Sequence, residues 1–193
     1  MTETSLNEAL EQVRTLREMI LEKQIFRGFS GRARMAAGCA VLLAAILLSL
    51  KIAPRTPTLH LAVWAVVLIV ALTLNFGALA YAFFFDRTLQ RDPARLKPAL
   101  DILPPLAAGA IFSLALVLHE QYDFLFGTWM ILYGLAHLAA RRSLPATVYA
   151  VGLFYFACGM LCLLWPGISF LNPWPMALAF FPGEIAGGLV FSA

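Results

Sequence analysis

The sequence predicts an all-α fold: a polytopic bundle of six transmembrane helices preceded by a short cytoplasmic amphipathic helix. The first observation behind this prediction is composition, because 61% of the 193 residues are hydrophobic and only 13% are charged. Soluble domains carry about 25% charged residues. The second is that apolar runs able to cross roughly 30 Å of hydrocarbon recur six times. The third is that the polar segments between these runs are short and hold most of the basic residues.

Residues 1–34 are predicted to form the amphipathic helix, as a separate N-terminal segment. Ser5 and Glu8 have the spacing of a capping box, which favours a helix start at Leu6. Apolar residues then recur at heptad positions, namely Leu6, Ala9, Val13, Leu16 and Ile20. Such a stripe could lie on the membrane surface, pack on the protein itself or pair with a partner helix, through self-association or with another protein.

Residues 35–193 are predicted to form one transmembrane domain. Backbone polar groups in lipid must be satisfied within the segment, so each apolar run is expected to be a helix. Pro104 and Pro105 fall in the first turns of the third run, where proline costs least. The six spans are expected at residues 35–53, 59–85, 98 or 102–118, 124–140, 144–165 and 176–191.

The distribution of basic residues predicts the orientation of these spans. If the N-terminus is cytoplasmic, only Lys51 and Arg55 of the 14 Lys and Arg residues lie on the outer side. Cytoplasmic loops carry the excess of Lys and Arg, so both termini of a six-span chain are expected inside the cell. The four tryptophans then fall near outer ends of spans, as in an interfacial belt: Trp64, Trp129, Trp165 and Trp174.

Glu184 is the main candidate functional residue, because it lies inside the last apolar run. A carboxyl in hydrocarbon is costly unless it is paired, protonated or facing water. Pro182 and Gly183 precede it, which suggests a helix break, while Gly183, Gly187 and Gly188 predict a close-approach surface for another helix. With no basic residue in its own span, Glu184 is expected near the midplane and protonated. It would serve either as a proton-handling group or as a neutral hydrogen-bonding group in helix packing.

His137 and Asn75 are the other polar candidates inside the membrane. His137 lies one turn before Arg141 on the fourth run, and Asn75 lies on the second run at a similar depth. They could join Glu184 in one polar group, although His137 also suits an ordinary interfacial position.

Two metal sites were considered from residue type and spacing. His60, His119 and Glu120 gather at outer ends of the second and third spans, where an external metal site is conceivable. Cys158 and Cys162 share a helix face and could bind a soft metal, or they could simply pack as small apolar residues. We expect no cofactor, since no Walker loop, H-E-x-x-H or G-x-S-x-G motif occurs.

The passage LREMILEKQIFRGFSGRARMAAGCAVLLAA, residues 16–45, resembles the opening of a group of uncharacterised bacterial six-span inner-membrane proteins. In that group a short helix leads through a Ser-Gly turn into a first span rich in small residues. The resemblance implies a bacterial inner-membrane location and carries no assigned chemistry.

Three functions remain open at this stage. The first is a non-enzymatic membrane module that acts through helix–helix association or partner binding, in contact with the lipid bilayer and not with nucleic acid. The second is a small proton- or ion-coupled transporter or channel that uses Glu184. The third is an intramembrane enzyme. A water-filled path to Glu184 would favour transport, whereas a sealed carboxyl packed between helices would favour the module.

Overall fold

The computed structural model describes residues 11–13, 30–50, 54–85, 97–140 and 146–190, and these residues form helices and short connections without a strand. A one-turn 3-10 helix covers Tyr122–Phe124. The six α-helices of the described ranges are α1 Gly31–Ser49, α2 Pro57–Phe85, α3 Lys97–Leu118, α4 Leu125–Ala139, α5 Ala146–Leu164 and α6 Trp174–Val190. The all-α expectation is therefore confirmed.

Four helices, α1, α2, α3 and α5, are long and apolar enough to cross a membrane. The other two fall just below that length, because α4 has 15 residues and α6 has 17. The fourth apolar run is divided at its start, where Phe124 belongs to the 3-10 helix rather than to α4. Six apolar helices are thus present in the described residues, and crossing by α4 and α6 stays a prediction.

Helix α1 begins earlier than the sequence suggested. Ser30 is its N-cap, and the Ser30 hydroxyl accepts a hydrogen bond of 3.2 Å from the backbone N–H of Ala33. This cap satisfies an otherwise unpaired N–H and starts the helix at Gly31 rather than near residue 35. Arg34 therefore lies in the first turn of α1 and not in a polar segment before it. Apart from residues 11–13 and 30–34, the predicted N-terminal helix lies outside the described residues.

The prolines do not break the helices that contain them. Pro182 lies inside α6, which continues without interruption through Glu184 to Val190, so the expected helix break at Glu184 is wrong. Pro104 and Pro105 also lie within α3, well beyond its first turn at Lys97. Pro182 and Pro104 are both exposed. Each proline removes one backbone hydrogen bond, and the rest of the helix tolerates this loss.

Two antiparallel helix pairs, α1 with α6 and α4 with α5, make the most extensive contacts in the described structure. The glycines of α4 and α5 face one another in register. A Cβ on Gly134 would lie 2.7 Å from the carbonyl oxygen of Gly152, and one on Gly159 would lie 2.8 Å from that of Gly127. Only glycine permits backbones to approach this closely. Helix α5 contacts α6 and thereby joins the two pairs.

The remaining helices lie outside these pairs: α2 packs on α1, and α3 packs on α4. A buried apolar core fills one end of the bundle, where α1 ends and α4 begins. Phe170, in the connection between α5 and α6, is buried at the centre of this core and contacts the rings of Phe126 and Trp129. Its backbone N–H donates to the Asp123 carboxylate at 2.8 Å, which fixes the connection to the 3-10 helix.

Candidate functional site

Glu184 forms a bidentate ion pair with Arg34, which comes from the opposite end of the chain. The Nε of Arg34 donates to Oε2 at 3.0 Å, and a terminal guanidinium nitrogen donates to Oε1 at 3.0 Å. Both residues are buried, with Glu184 3% exposed and Arg34 7% exposed. The expectation of a protonated carboxyl without a basic partner is therefore wrong, because the partner is supplied by α1 rather than by α6. A carboxylate held by a planar guanidinium fork is the ionised form.

Two tyrosines complete the coordination of the same carboxylate. The hydroxyls of Tyr133 on α4 and Tyr155 on α5 both donate to Oε1, at 2.8 Å and 2.9 Å. Together with the two bonds from Arg34, the carboxylate accepts four hydrogen bonds from three helices. Three of these bonds reach Oε1 and one reaches Oε2. Both oxygens of Glu184 thus have hydrogen-bond partners, and the carboxylate has a charged partner in Arg34.

His137 extends the site on the side of Arg34. A guanidinium nitrogen of Arg34 lies 2.9 Å from Nε2 of His137, while Nδ1 lies 2.9 Å from the backbone oxygen of Tyr133. Arginine only donates and a carbonyl only accepts. The imidazole must then be neutral, with its proton on Nδ1 and a lone pair on Nε2. We call Arg34, Tyr133, His137, Tyr155 and Glu184 the Glu184 cluster.

Glycines of α6 make room for the cluster side chains. A Cβ on Gly187 would lie 2.7 Å from the guanidinium carbon of Arg34, and one on Gly183 would lie 2.5 Å from the phenol ring of Tyr155. A Cβ on Gly188 would lie 2.7 Å from the backbone oxygen of Gly31. These three glycines therefore lie where α6 approaches α1 and α5 closely. Two of them also form the slots that admit polar side chains to Glu184.

The rings of the cluster pack on one another and exclude water from it. Tyr133 and His137 meet edge to face with centroids 4.6 Å apart, and Tyr133 and Tyr155 do so at 4.9 Å. Phe180 covers the same side, with its centroid 4.9 Å from that of Tyr155. In such a low-dielectric setting an ion pair is strong and an unpaired charge is costly.

The cluster lies toward the end of the bundle where α1 begins and α4 ends. Arg34 is the fourth residue of α1, and His137 is two residues from the end of α4. Glu184 lies about 15 Å from the start of α6 and about 9 Å from its end at the helical rise of 1.5 Å per residue. The carboxyl therefore lies past the middle of α6, toward that end.

Of the polar residues predicted from the sequence, Glu184 and His137 come together through Arg34, but Asn75 does not join them. The Asn75 amide instead donates a hydrogen bond of 2.9 Å to the backbone oxygen of Ala71, one turn earlier on α2. Sequence reasoning missed Arg34, Tyr133 and Tyr155. Only Arg34 could have been found from the sequence. Ser30 is a residue type that caps helices, and a helix that starts after Ser30 contains Arg34.

The weak metal candidates at the other end do not assemble into a site. His60 is buried, whereas His119 and Glu120 are exposed. The part of the chain that the structure describes contains no group of three or more His, Cys, Asp or Glu residues that could hold a metal ion. The tryptophan belt also needs correction, because Trp64 is buried in the apolar core and packs against Phe126.

Comparison of the chain with protein-family models, with curated proteins and with solved structures gave no match.

Proposed function

We propose that this chain is a non-enzymatic integral membrane module that acts through helix association or partner binding, and that the Glu184 cluster locks its helices together. The observation that carries the proposal is the sealing of Glu184, which is 3% exposed and accepts four hydrogen bonds. A coupling carboxyl must exchange its proton or ion with water. Here Arg34 is a permanent cation, and the rings of Tyr133 and Tyr155 cover the remaining approach.

The cluster is suited to specify one arrangement of helices. Its members come from α1, α4, α5 and α6, and the pair of Arg34 and Glu184 joins elements 150 residues apart in the chain. A displaced helix would leave a buried charge or a buried hydroxyl without a partner, at a cost of several kcal/mol. The lock therefore acts against sliding or rotation of any one of the four helices.

We further propose that all six helices cross the inner membrane of a bacterial cell, with both termini in the cytoplasm. The contact between Arg34 and His137 joins the start of α1 to the end of α4, which fits an even number of crossings between them. Helix α4 and the preceding 3-10 helix together are about 28 Å long, near the thickness of the hydrocarbon core. The excess of Lys and Arg beside this end of the bundle supports a cytoplasmic location for it.

The outer faces of α2 and α3 are proposed to contact lipid acyl chains. The apolar windows of these helices are 6% and 0% buried within the chain, against 50% for α1. Association with a second copy or with another protein is assigned instead to the predicted amphipathic helix in residues 1–34, whose apolar stripe is separate in the sequence from the six apolar runs.

Proton flux into proteoliposomes tests this function against transport. The purified chain and Glu184→Gln are reconstituted with a trapped pH-sensitive dye, and an inward pH gradient is imposed. We expect both proteins to leak no faster than protein-free vesicles. A flux that the natural chain supports and Glu184→Gln lacks would instead make Glu184 a coupling group and overturn the proposal. Exposed Glu120→Gln serves as the matched control for loss of one carboxylate.

A further inference from the structure

We propose that Cys158, Cys162 and Met130 form a binding site for a soft monovalent metal ion, Cu(I) or its analogue Ag(I). The site lies between α4 and α5 and is separate from the Glu184 cluster. It does not depend on the function proposed above.

Three sulfur-bearing side chains come from two packed helices, α4 and α5. Cys162 Sγ lies 3.8 Å from the Sδ of Met130, which is fully buried on α4. Cys158 and Cys162 are four residues apart on α5, and both pack against the core that contains Met130. Residues at this spacing lie one above the other on the same helix face. The Cys158 sulfur is therefore on the same side of α5 as the Cys162 sulfur, which is the side that Met130 contacts.

The sulfur separation suits two ligands of one metal ion. Metal–sulfur bonds of about 2.3 Å that diverge by about 120° would place two sulfur atoms about 4 Å apart. The observed 3.8 Å between Cys162 and Met130 requires almost no adjustment of either side chain. A rotation of the Cys158 thiol toward the same point would complete a three-coordinate site.

The donor set selects the metal. Thiolate and thioether sulfur favour soft ions such as Cu(I), thiolates also bind Zn(II), and carboxylate and water oxygens favour hard cations. The described residues contain no group of three His, Cys, Asp or Glu residues that could hold a metal. A site of two thiols and one thioether therefore excludes the usual four-ligand zinc site and leaves a soft monovalent ion as the fitting occupant.

The charge balance is also favourable in an apolar surrounding. Binding of Cu(I) to the Cys162 sulfur displaces the thiol proton to water, and the thiolate then neutralises the single positive charge of the ion. Met130 contributes a neutral sulfur, and Cys158 binds as a neutral thiol, so the occupied site carries no net charge. No electron is transferred, because the ion enters and remains as Cu(I).

The test measures metal retained by the full-length protein in detergent. The protein is kept reduced with ascorbate and is equilibrated with Cu(I) buffered by a chromophoric Cu(I) chelator. It is then desalted for elemental analysis. We expect about one Cu(I) for each natural chain, as one three-sulfur site requires, and loss of that ion in Cys158→Ser/Cys162→Ser. Cys39→Ser is the matched control, because Cys39 is exposed on α1 away from this site.

Met130→Leu keeps the volume of the buried side chain and removes only its sulfur. This variant is expected to fold like the natural chain and to lose Cu(I) to the chelator at a lower chelator concentration. Retention of the ion by the double serine variant, its loss in Cys39→Ser, or no binding by the natural chain would each overturn the proposal. Packing of the cysteines as small apolar residues would then be their whole role.

Discussion

At the scale of single residues, the Glu184 carboxylate is stabilised by partners that come from three other helices. Moving an ion pair out of water costs several kcal/mol, and the attraction of the two charges offsets this only when the remaining hydrogen-bonding groups are satisfied. Two hydroxyls and a bidentate guanidinium supply that satisfaction for Glu184. The neutral imidazole of His137 accepts from Arg34 and adds no charge.

The geometry at His137 predicts a stability that depends on pH. Its Nδ1–H donates to the Tyr133 carbonyl and its Nε2 accepts from Arg34, so the folded cluster has no place for a second imidazole proton. The unfolded chain takes up that proton below the ordinary pKa of about 6.5. The free energy of unfolding should therefore fall by about 1.4 kcal/mol for each pH unit below that value.

Thermal unfolding in detergent between neutral and mildly acid pH measures this slope. His137→Gln should flatten it, whatever its effect at neutral pH, because glutamine does not titrate. His119→Gln, at an exposed position, should keep the slope of the natural chain. Equal slopes for His137→Gln and the natural chain would show that His137 is not the group concerned.

At the scale of elements, the α4–α5 pair depends on glycines that face each other. A Cβ on Gly134 would lie 2.7 Å from the Gly152 carbonyl oxygen and 2.8 Å from the backbone nitrogen of Phe156, and backbone atoms cannot rotate aside. Gly134→Ala should therefore cost about 1–3 kcal/mol, the usual cost of overpacking. Its effect is measured as a lower unfolding temperature.

Gly77→Ala is the matched control for this substitution, since a Cβ on Gly77 of α2 would meet no atom within 4 Å. Alanine is a better helix former than glycine, so this variant should be as stable as the natural chain or slightly more stable. If the two alanine variants unfold at the same temperature, the close approach of α4 and α5 is not needed for stability.

The positions of the helices and the packing role of Gly183 and Gly187 could be predicted from the sequence, because apolar runs and small-residue spacing are local patterns. The partner of Glu184 could not be predicted in this way. Arg34 is 150 residues away and lies beside other arginines, so only the fold distinguishes it. Asn75 is the opposite case. Its depth suggested a contact with Glu184, but its side chain donates to the backbone of its own helix.

At the scale of the whole molecule, the apolar stripe in residues 1–34 is predicted to serve association and not insertion. Deletion of residues 1–26 leaves the Ser30 cap and α1 intact. We expect this variant to insert in the membrane and to change its oligomer size or its capture of a partner. Light scattering after size exclusion, with crosslinking in membranes, measures both. If the oligomer size and the crosslinks are both unchanged, the stripe does not serve association, and the helix only lies on the membrane surface.

The proposed topology predicts that both ends of the chain and the segment 86–97 are cytoplasmic. Reporter fusions placed after Ala193 and within that segment should both give cytoplasmic signals, because Lys and Arg flank the spans on that side. A fusion after Lys51 supplies the external control. A periplasmic signal at either of the first two sites would exclude six crossings with this orientation.

The central claim is that the pair of Arg34 and Glu184 locks the bundle, and a double-mutant cycle on that pair tests it most directly. Unfolding free energies are compared for the natural chain, Arg34→Met, Glu184→Gln and the double variant, with exposed Arg32→Met as control. Each single change should cost about 3–5 kcal/mol, because it leaves a buried charge unpaired. The double variant should cost clearly less than their sum, and Arg32→Met almost nothing. The claim would be contradicted if Glu184→Gln were as stable as the natural chain, or if the losses of the two single variants added strictly. Glu184 would then be a neutral carboxyl, as the sequence suggested.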